Sequence, residues 1–205
     1  MLALTTSLYR LYTAFLLLGG VVWASDLLLW VDVQLIDAEW LGIYLGVGIA
    51  AAFLYNPYFK RAGVIDILLG FGAMACWGWM AWNFQDWLVD FEGATPTKYV
   101  PAAVAILLMM EGLRKASGLP IAILVWVLLA YGLFGHLIPG PLQAHYQRPV
   151  DFLMYIYSDT NAVPGLVLVI IAGMVLAFIV FGKLMEVSGA TGFFTDLAMA
   201  VMGHK

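Results

Sequence analysis

Charged residues are scarce in this chain. Asp, Glu, Lys and Arg make up 11% of its 205 residues, whereas hydrophobic residues make up 64%. Soluble domains carry about 25% charged residues, so this composition excludes a water-soluble globular protein. It also excludes intrinsic disorder, because disordered chains are poor in apolar residues and rich in charge. The formal net charge of −4 argues against a nucleic-acid partner.

Cysteine and histidine are also scarce, which limits the metal and redox chemistry open to the chain. Its one cysteine, Cys76, can form neither a disulfide framework nor a cysteine-based zinc site. The histidines lack the His-Glu-x-x-His spacing of a zinc hydrolase, and only His136 adjoins an apolar run, whereas haem in a bundle needs two facing histidines. The sequence has no Gly-x-Ser-x-Gly elbow and no phosphate loop. We therefore expect no enzyme activity and no bound cofactor.

Long apolar runs dominate what remains. About 20 apolar residues in a helix cross the roughly 30 Å of hydrocarbon in a bilayer. Lipid offers backbone groups no hydrogen-bond partner, so each crossing segment has to be helical. We predict an all-α, polytopic integral membrane bundle of about six spans plus interfacial helices. The predicted spans are residues 11–31, 40–55, 63–83, 99–113, 119–138 and 164–182.

The first apolar run has two readings, a signal peptide or a retained span. Only Arg10 precedes it, Val22-Trp23-Ala24 is a poor cleavage site, and the run extends to Val31, so a retained span is favoured. Residues 136–148 are rich in Pro and Gly and predict a stiff outer loop. Two amphipathic segments, 149–163 and 192–202, are predicted as helices that lie in the membrane interface.

Basic residues in the short loops predict the orientation, because cytoplasmic loops carry an excess of Lys and Arg. With the amino terminus in the cytoplasm, the inner side holds most of the basic residues and the outer side most of the acids. The inner basic residues are Arg10, Lys60, Arg61, Arg114, Lys115 and Lys183. The outer side has Lys98 and Arg148 together with Asp32, Asp37, Glu39, Asp86, Asp90, Glu92, Asp151 and Asp159.

Few polar residues lie inside the predicted spans, where they are the usual functional candidates. Asp66 falls in the first turn of the third span, where the helix dipole favours a carboxylate. We expect it to pair with Lys60 or Arg61 in a structural role, with an ion relay as the open alternative. Two other patterns predict contacts: an ion cluster of Glu111 with Arg114 and Lys115 at helical spacing, and close helix packing at Gly42–Gly46 and Gly173–Ala177.

Two blocks of sequence carry a family resemblance. The first comprises Glu111-Gly-Leu-Arg-Lys115, Leu119-Pro-Ile-Ala-Ile-Leu and Ala130-Tyr-Gly-Leu-Phe-Gly-His-Leu-Ile-Pro-Gly-Pro141. The second runs from Phe178 to Ala198 through Leu184-Met-Glu and Ser188-Gly-Ala. Together they resemble the fused permeases of tripartite ATP-independent periplasmic (TRAP) transporters, in particular the TAXI-type branch. Lys183 and Thr191 depart from the family pattern.

The resemblance implies a division of the chain into three parts. Residues 1–116 would be the small-subunit-like four-helix region, residues 117–148 the linker helix and outer loop, and residues 149–205 the start of the large transporting subunit. The motif residues that carry over are Glu111, Arg114, Gly135, His136, Pro139, Gly140, Pro141, Gly182, Glu186, Ser188 and Gly189.

The resemblance also implies a function. The chain would be a membrane scaffold portion of a sodium-coupled permease in the bacterial inner membrane. That permease would take up a small solute, expected to be an organic acid, from a periplasmic solute-binding protein. Its substrate and sodium sites would lie in the remainder of the permease, beyond Lys205, so this chain would be a fragment or a truncated reading frame. The alternative is a small helical membrane protein that acts as an assembly or interaction partner without transport activity.

Overall fold

The computed structural model describes residues 2–30, 32, 34–59, 62–89 and 95–203. Every regular element in these ranges is helical, which confirms the all-α prediction. The α-helices are α1 (Leu2–Ala24), α2 (Leu27–Trp30), α3 (Asp37–Tyr55), α4 (Val64–Val89), α5 (Pro96–Ser117), α6 (Leu119–Phe134), α7 (Pro149–Ser158), α8 (Leu166–Ile170), α9 (Leu176–Val187) and α10 (Ala190–Met202). A 3₁₀ turn (Gly135–Leu137) follows α6, and a π-turn (Ile171–Val175) joins α8 and α9 into one continuous helix, here called helix 166–187.

Five helices within the described ranges are long and apolar enough to cross a membrane: Thr6–Ala24, Asp37–Tyr55, Val64–Val89, Leu119–Leu137 and Leu166–Val187. They correspond to five of the six predicted spans, although α1 ends earlier than predicted and α4 ends later. The end of α1 follows from Asp26, whose φ of 53° is not helical. The predicted fourth span lies in α5, which is long enough but carries Lys98, Glu111, Arg114 and Lys115.

The core consists of α3, α4 and α5, with α3 packed closely against α4. Gly42 and Gly46 of α3 face Trp77 of α4, and a Cβ at Gly46 would stand 3.1 Å from the Trp77 Cβ. The predicted small-residue contact at these glycines is therefore confirmed. At Gly173 a Cβ would meet no atom within 4 Å among the described residues, so the predicted contact there, within the bundle or with a partner, stays a prediction.

The outward face of α4 is apolar although it is exposed. Its exposed side chains recur every three or four residues, opposite the buried face that carries Trp77 and Met80. In a soluble protein such a stripe would be polar. An exposed apolar stripe is what contact with lipid requires. Its members include Ile65, Leu68, Phe71, Ala75, Trp79 and Trp82.

A proline inside α5 leaves one backbone carbonyl of that helix without its donor, and a side chain of α4 supplies a donor. Pro101 has no N–H, so the carbonyl of Thr97, four residues earlier, loses its helical donor. The indole Nε1 of Trp79 donates to this carbonyl at 3.1 Å. The bond satisfies a backbone group that lipid could not satisfy and links α4 to α5.

Helix α1 packs antiparallel to α3 through aromatic side chains. Near one end the rings of Trp23 and Trp40 stack with centroids 5.3 Å apart, and near the other Tyr9 stacks on Tyr55 at 5.7 Å. Between these contacts the hydroxyl of Tyr44 donates to the Leu16 carbonyl at 3.1 Å. This arrangement agrees with the predicted alternation of the first two spans.

Helix 166–187 crosses the ends of α3 and α1 obliquely. Its first turns, with Leu168 and Val169, pack on Trp40 and Leu41 of α3. Its later turns follow the carboxyl-terminal turns of α1: one groove is lined by Val21, Ala24 and Ser25 of α1 and by Ala177, Val180, Phe181 and Leu184 of α9. A sixth span in strict alternation would run antiparallel to the first. The contacts between helix 166–187 and α1 do not show this antiparallel arrangement.

The segment predicted as an interfacial helix at 149–163 packs into the bundle. It forms α7, and Ile156 and Tyr157 at its end are buried, Tyr157 completely. The physical reason is that Phe152, Leu153, Ile156 and Tyr157 fit the groove beside α5 and α4. The second predicted interfacial segment forms α10, which contacts α9 and has no buried residue.

Candidate functional site

The most polar place inside the bundle is where the loop after α3 meets the end of α5, here called the Lys115 end. The Nζ of Lys115 lies 2.7 Å from the Asp66 Oδ1, and the two side chains are only 5% and 1% exposed. The backbone N–H groups of Tyr58 and Gly63 also donate to the Asp66 carboxylate, at 3.2 and 3.0 Å. Asp66 is thus fully supplied with donors, as a buried carboxylate must be.

Aromatic rings enclose the Lys115 ammonium on its other sides. Its Nζ lies 3.6 Å from the centroid of the Tyr58 ring and 4.9 Å from that of Phe53. The negative faces of such rings attract a cation, more strongly where water is excluded. The predicted structural role of Asp66 therefore holds, but its cation is Lys115; Lys60 and Arg61, the expected partners, lie outside the described residues.

A second ion pair lies at the surface of the same end. The guanidinium of Arg114 donates to both oxygens of Glu111, at 2.8 and 2.5 Å, and the hydroxyl of Tyr58 also donates to Glu111. Burial raises the pKa of Tyr58, and the hydrogen bond and negative charge of Glu111 raise it further. The predicted cluster is confirmed for Glu111 and Arg114. Lys115 makes its ion pair with Asp66 instead of Glu111, but its positive charge still acts on the Glu111 carboxylate.

The opposite end of the core, here called the Glu39 end, has its own polar contact, made by the buried Glu39. One oxygen of Glu39 accepts from the amide of Gln85 in α4 at 2.8 Å. The other accepts from the backbone N–H of Ile36 at 2.9 Å, which caps the start of α3. Lys98 is also buried here, with its Nζ 6.0 Å from the Trp87 ring centroid. Polar contacts therefore link the core helices at both ends of the core.

The predicted outer loop folds back onto the end of α6. The carbonyl of Gly135 accepts the backbone N–H of Ala144 at 3.1 Å, and the hydroxyl of Tyr131 donates to the Leu142 carbonyl at 2.7 Å. The ring of His136 meets Tyr146 edge to face at 5.0 Å. Between Pro139 and Pro141, Gly140 has a φ of +100°, which a residue with a side chain rarely adopts.

The last motif block forms the turn between α9 and α10. Gly189 has a φ of +76° and its N–H donates to the Glu186 carbonyl at 3.2 Å, as in a glycine-ended helix. The Ser188 hydroxyl donates to the Met185 carbonyl, and Glu186 pairs with Lys183 at 2.8 Å. Gly182 has no atom within 4 Å of a Cβ position. The motif residues thus lie in three separate places.

The arrangement is suited to holding helices together. In the described part of the chain, no group of three or more His, Cys, Asp or Glu side chains could hold a metal ion. The carboxylates of Asp66, Glu111 and Glu39 are occupied by internal donors. Comparison of the chain with family models, curated proteins and solved structures gives no match.

Proposed function

We propose that this chain is the membrane scaffold portion of a sodium-coupled TRAP-type permease. The observation that carries the proposal is a contrast. The core has polar contacts at both ends, made by the buried carboxylates of Asp66 and Glu39, whereas the apolar helices from Leu166 onward leave most of their surface uncovered. A scaffold requires both a rigid core and a surface for the moving part. The sequence blocks at 111–141 and 178–198 support this reading.

The proposal places the chain in the bacterial inner membrane with its amino terminus in the cytoplasm. The five apolar helices and the exposed stripe on α4 support membrane insertion. With α5 as a further crossing, six alternating spans would put Lys183 on the inner side, whereas the contacts of Leu184 with Ala24 and Ser25 put it near the outer end of α1. Labelling of a single cysteine at Lys183, in a Cys76→Ser background, tests this number: protection from an impermeant reagent in intact cells supports six spans.

The proposed partners are the transporting remainder of the permease and a periplasmic solute-binding protein. The remainder would cover helix 166–187 and α10, whose large apolar side chains include Phe178, Phe181 and Phe194. The binding protein would dock on the loop that folds over the end of α6. The solute is a small molecule, proposed to be an organic acid, and the sodium sites lie in the transporting remainder.

A complementation experiment tests the proposal. A fused permease of the same class with a known solute is truncated to remove its own scaffold portion and is expressed with its binding protein. We expect uptake to depend on adding this chain in trans and on the sodium gradient. Proteoliposomes that contain this chain alone should take up neither sodium nor solute, because the ion sites are assigned elsewhere.

Three outcomes separate the proposal from its alternatives. Copurification of the chain with the truncated permease without restored uptake indicates an assembly partner. Uptake by the chain alone refutes the division between scaffold and transporting part. If the chain neither restores uptake nor copurifies with the truncated permease, the scaffold assignment is wrong.

A further inference from the structure

Helix α7 is short for a helix that stands alone. It has ten residues, from Pro149 to Ser158, whereas isolated helices need about 12–15 residues to be even marginally stable in water. Pro149 at its first position and the Arg148–Asp151 ion pair fix its start. The rest of its stability has to come from what it touches.

The groove between α4 and α5, which α6 borders on one side through Val125 and Leu129, holds the buried face of α7. Ile156 and the partly buried Phe152 and Leu153 pack on Ile106 and Met110 of α5. Burial of these apolar side chains is the main favourable contribution. The contact extends along most of α7, so it fixes both the position and the direction of the helix.

Tyr157 fills the deepest part of this groove. It is completely buried, and its ring centroid lies 5.2 Å from that of Trp77 and 6.0 Å from that of Trp87. Its hydroxyl donates to the Cys76 carbonyl, in the middle of α4. Aromatic pairs at these distances stabilise beyond their buried area, and the hydroxyl has the partner that a buried tyrosine needs.

The covalent connection into α7 lies outside this contact. Leu142 and Tyr146, in the loop before α7, are exposed. The other contacts between the region after residue 148 and the core are made by Val163, which packs on the same clusters as α7, and by helix 166–187, through Ala172 and its neighbours on Trp40 and Leu41. Two sets of contacts therefore hold this region, and the set around Tyr157 contains the more completely buried aromatic residue.

We infer that the groove between α4 and α5 is a binding site for α7, and that Tyr157 is the anchor by which residues 149–203 are held to the core. The occupant is an amphipathic helix that presents an aromatic side chain at its carboxyl-terminal turn. The inference concerns cohesion within this chain and stands whether or not the chain serves a transporter.

Proteolytic nicking of the folded full-length chain tests the inference. A protease recognition sequence is inserted after His145, in the exposed loop, and the purified chain is cut in detergent with empty micelles in large excess. We expect the two pieces to stay together, and Tyr157→Ala to raise their dissociation constant by about a hundredfold, the effect of truncating a buried aromatic side chain. Tyr157→Phe, which keeps the ring, should change it by about fivefold or less.

Tyr155→Ala is the matched control, because Tyr155 lies on the same helix but is 46% exposed. A second measurement avoids reliance on the folding of a variant: a peptide of residues 149–163 should displace the carboxyl-terminal piece from the nicked wild-type protein, and the Tyr157→Ala peptide should not. Separation of the nicked wild-type pieces, or equal retention in Tyr157→Ala and Tyr155→Ala, overturns the inference.

Discussion

The core and the helices around it are both rich in apolar residues, but they use them differently. In α3, 67% of the most apolar stretch is buried inside the protein, against 6% in helix 166–187. Buried charged groups with internal partners, such as Asp66 with Lys115 and Glu39 with Gln85, occur in the core. Composition alone therefore does not separate a helix that packs on protein from one that faces lipid or a partner. The two kinds of helix are separated instead by the positions of polar groups that have hydrogen-bond or ion-pair partners.

The largest expected effect comes from breaking the buried ion pair. Lys115→Met leaves the Asp66 carboxylate buried without its cation, which should lower the free energy of unfolding by about 3–5 kcal/mol. We expect Asp66→Asn combined with Lys115→Met to recover most of this loss, because an apolar neighbour tolerates a neutral amide better. Reversible unfolding in mixed micelles measures both. A double variant as unstable as Lys115→Met contradicts the paired role.

Two tryptophans on α4 compare the two environments directly. Trp77 is 0% exposed and Trp82 is 86% exposed. Trp77→Ala opens a cavity in the core and should cost about 3 kcal/mol of unfolding free energy, whereas Trp82→Ala should stay within about 0.5 kcal/mol. The same unfolding assay reports both values. Equal losses at the two positions would remove the distinction between core and periphery.

The smallest expected effect comes from removing the hydrogen bond that Trp79 donates to the Thr97 carbonyl, which lacks its helical donor because of Pro101. Trp79→Phe keeps an aromatic ring but removes the donor to the Thr97 carbonyl, which then lacks a partner. The expected loss is about 1–2 kcal/mol, the cost of an unsatisfied backbone group. Trp82→Phe serves as the control on the same helix. If Pro101→Ala is introduced first, the helix supplies its own donor and Trp79→Phe should lose its effect.

Much of the fold follows from the sequence because apolar runs of sufficient length have to be helical. The spans at 40–55, 63–83 and 119–138 match α3, α4 and α6, and Gly42 and Gly46 identify the close contact between α3 and α4. The boundaries are less accurate where a cap decides them. α3, for instance, begins at Asp37 because Glu39 caps it.

The polar contacts of the core were harder to predict, because their partners are distant in sequence. Glu111, Arg114 and Lys115 share one helical spacing, and spacing cannot show that Lys115 turns toward a residue 49 positions away. A proline at position 101 indicates that the Thr97 carbonyl lacks its helical donor. Nothing in the sequence identifies Trp79 as the replacement donor. The insertion of α7 depends on a groove that exists only once α4 and α5 have paired.

The order of these elements along the chain has a consequence for biosynthesis. Trp77 of α4 and Ala105 of α5 precede Tyr157 by many residues, so the ribosome releases both walls of the groove before their occupant. At about 5–20 residues per second, nascent α4 and α5 wait several seconds with this cleft unfilled. A chaperone or insertase that shields apolar clefts can bind in that interval, which ends when Tyr157 emerges.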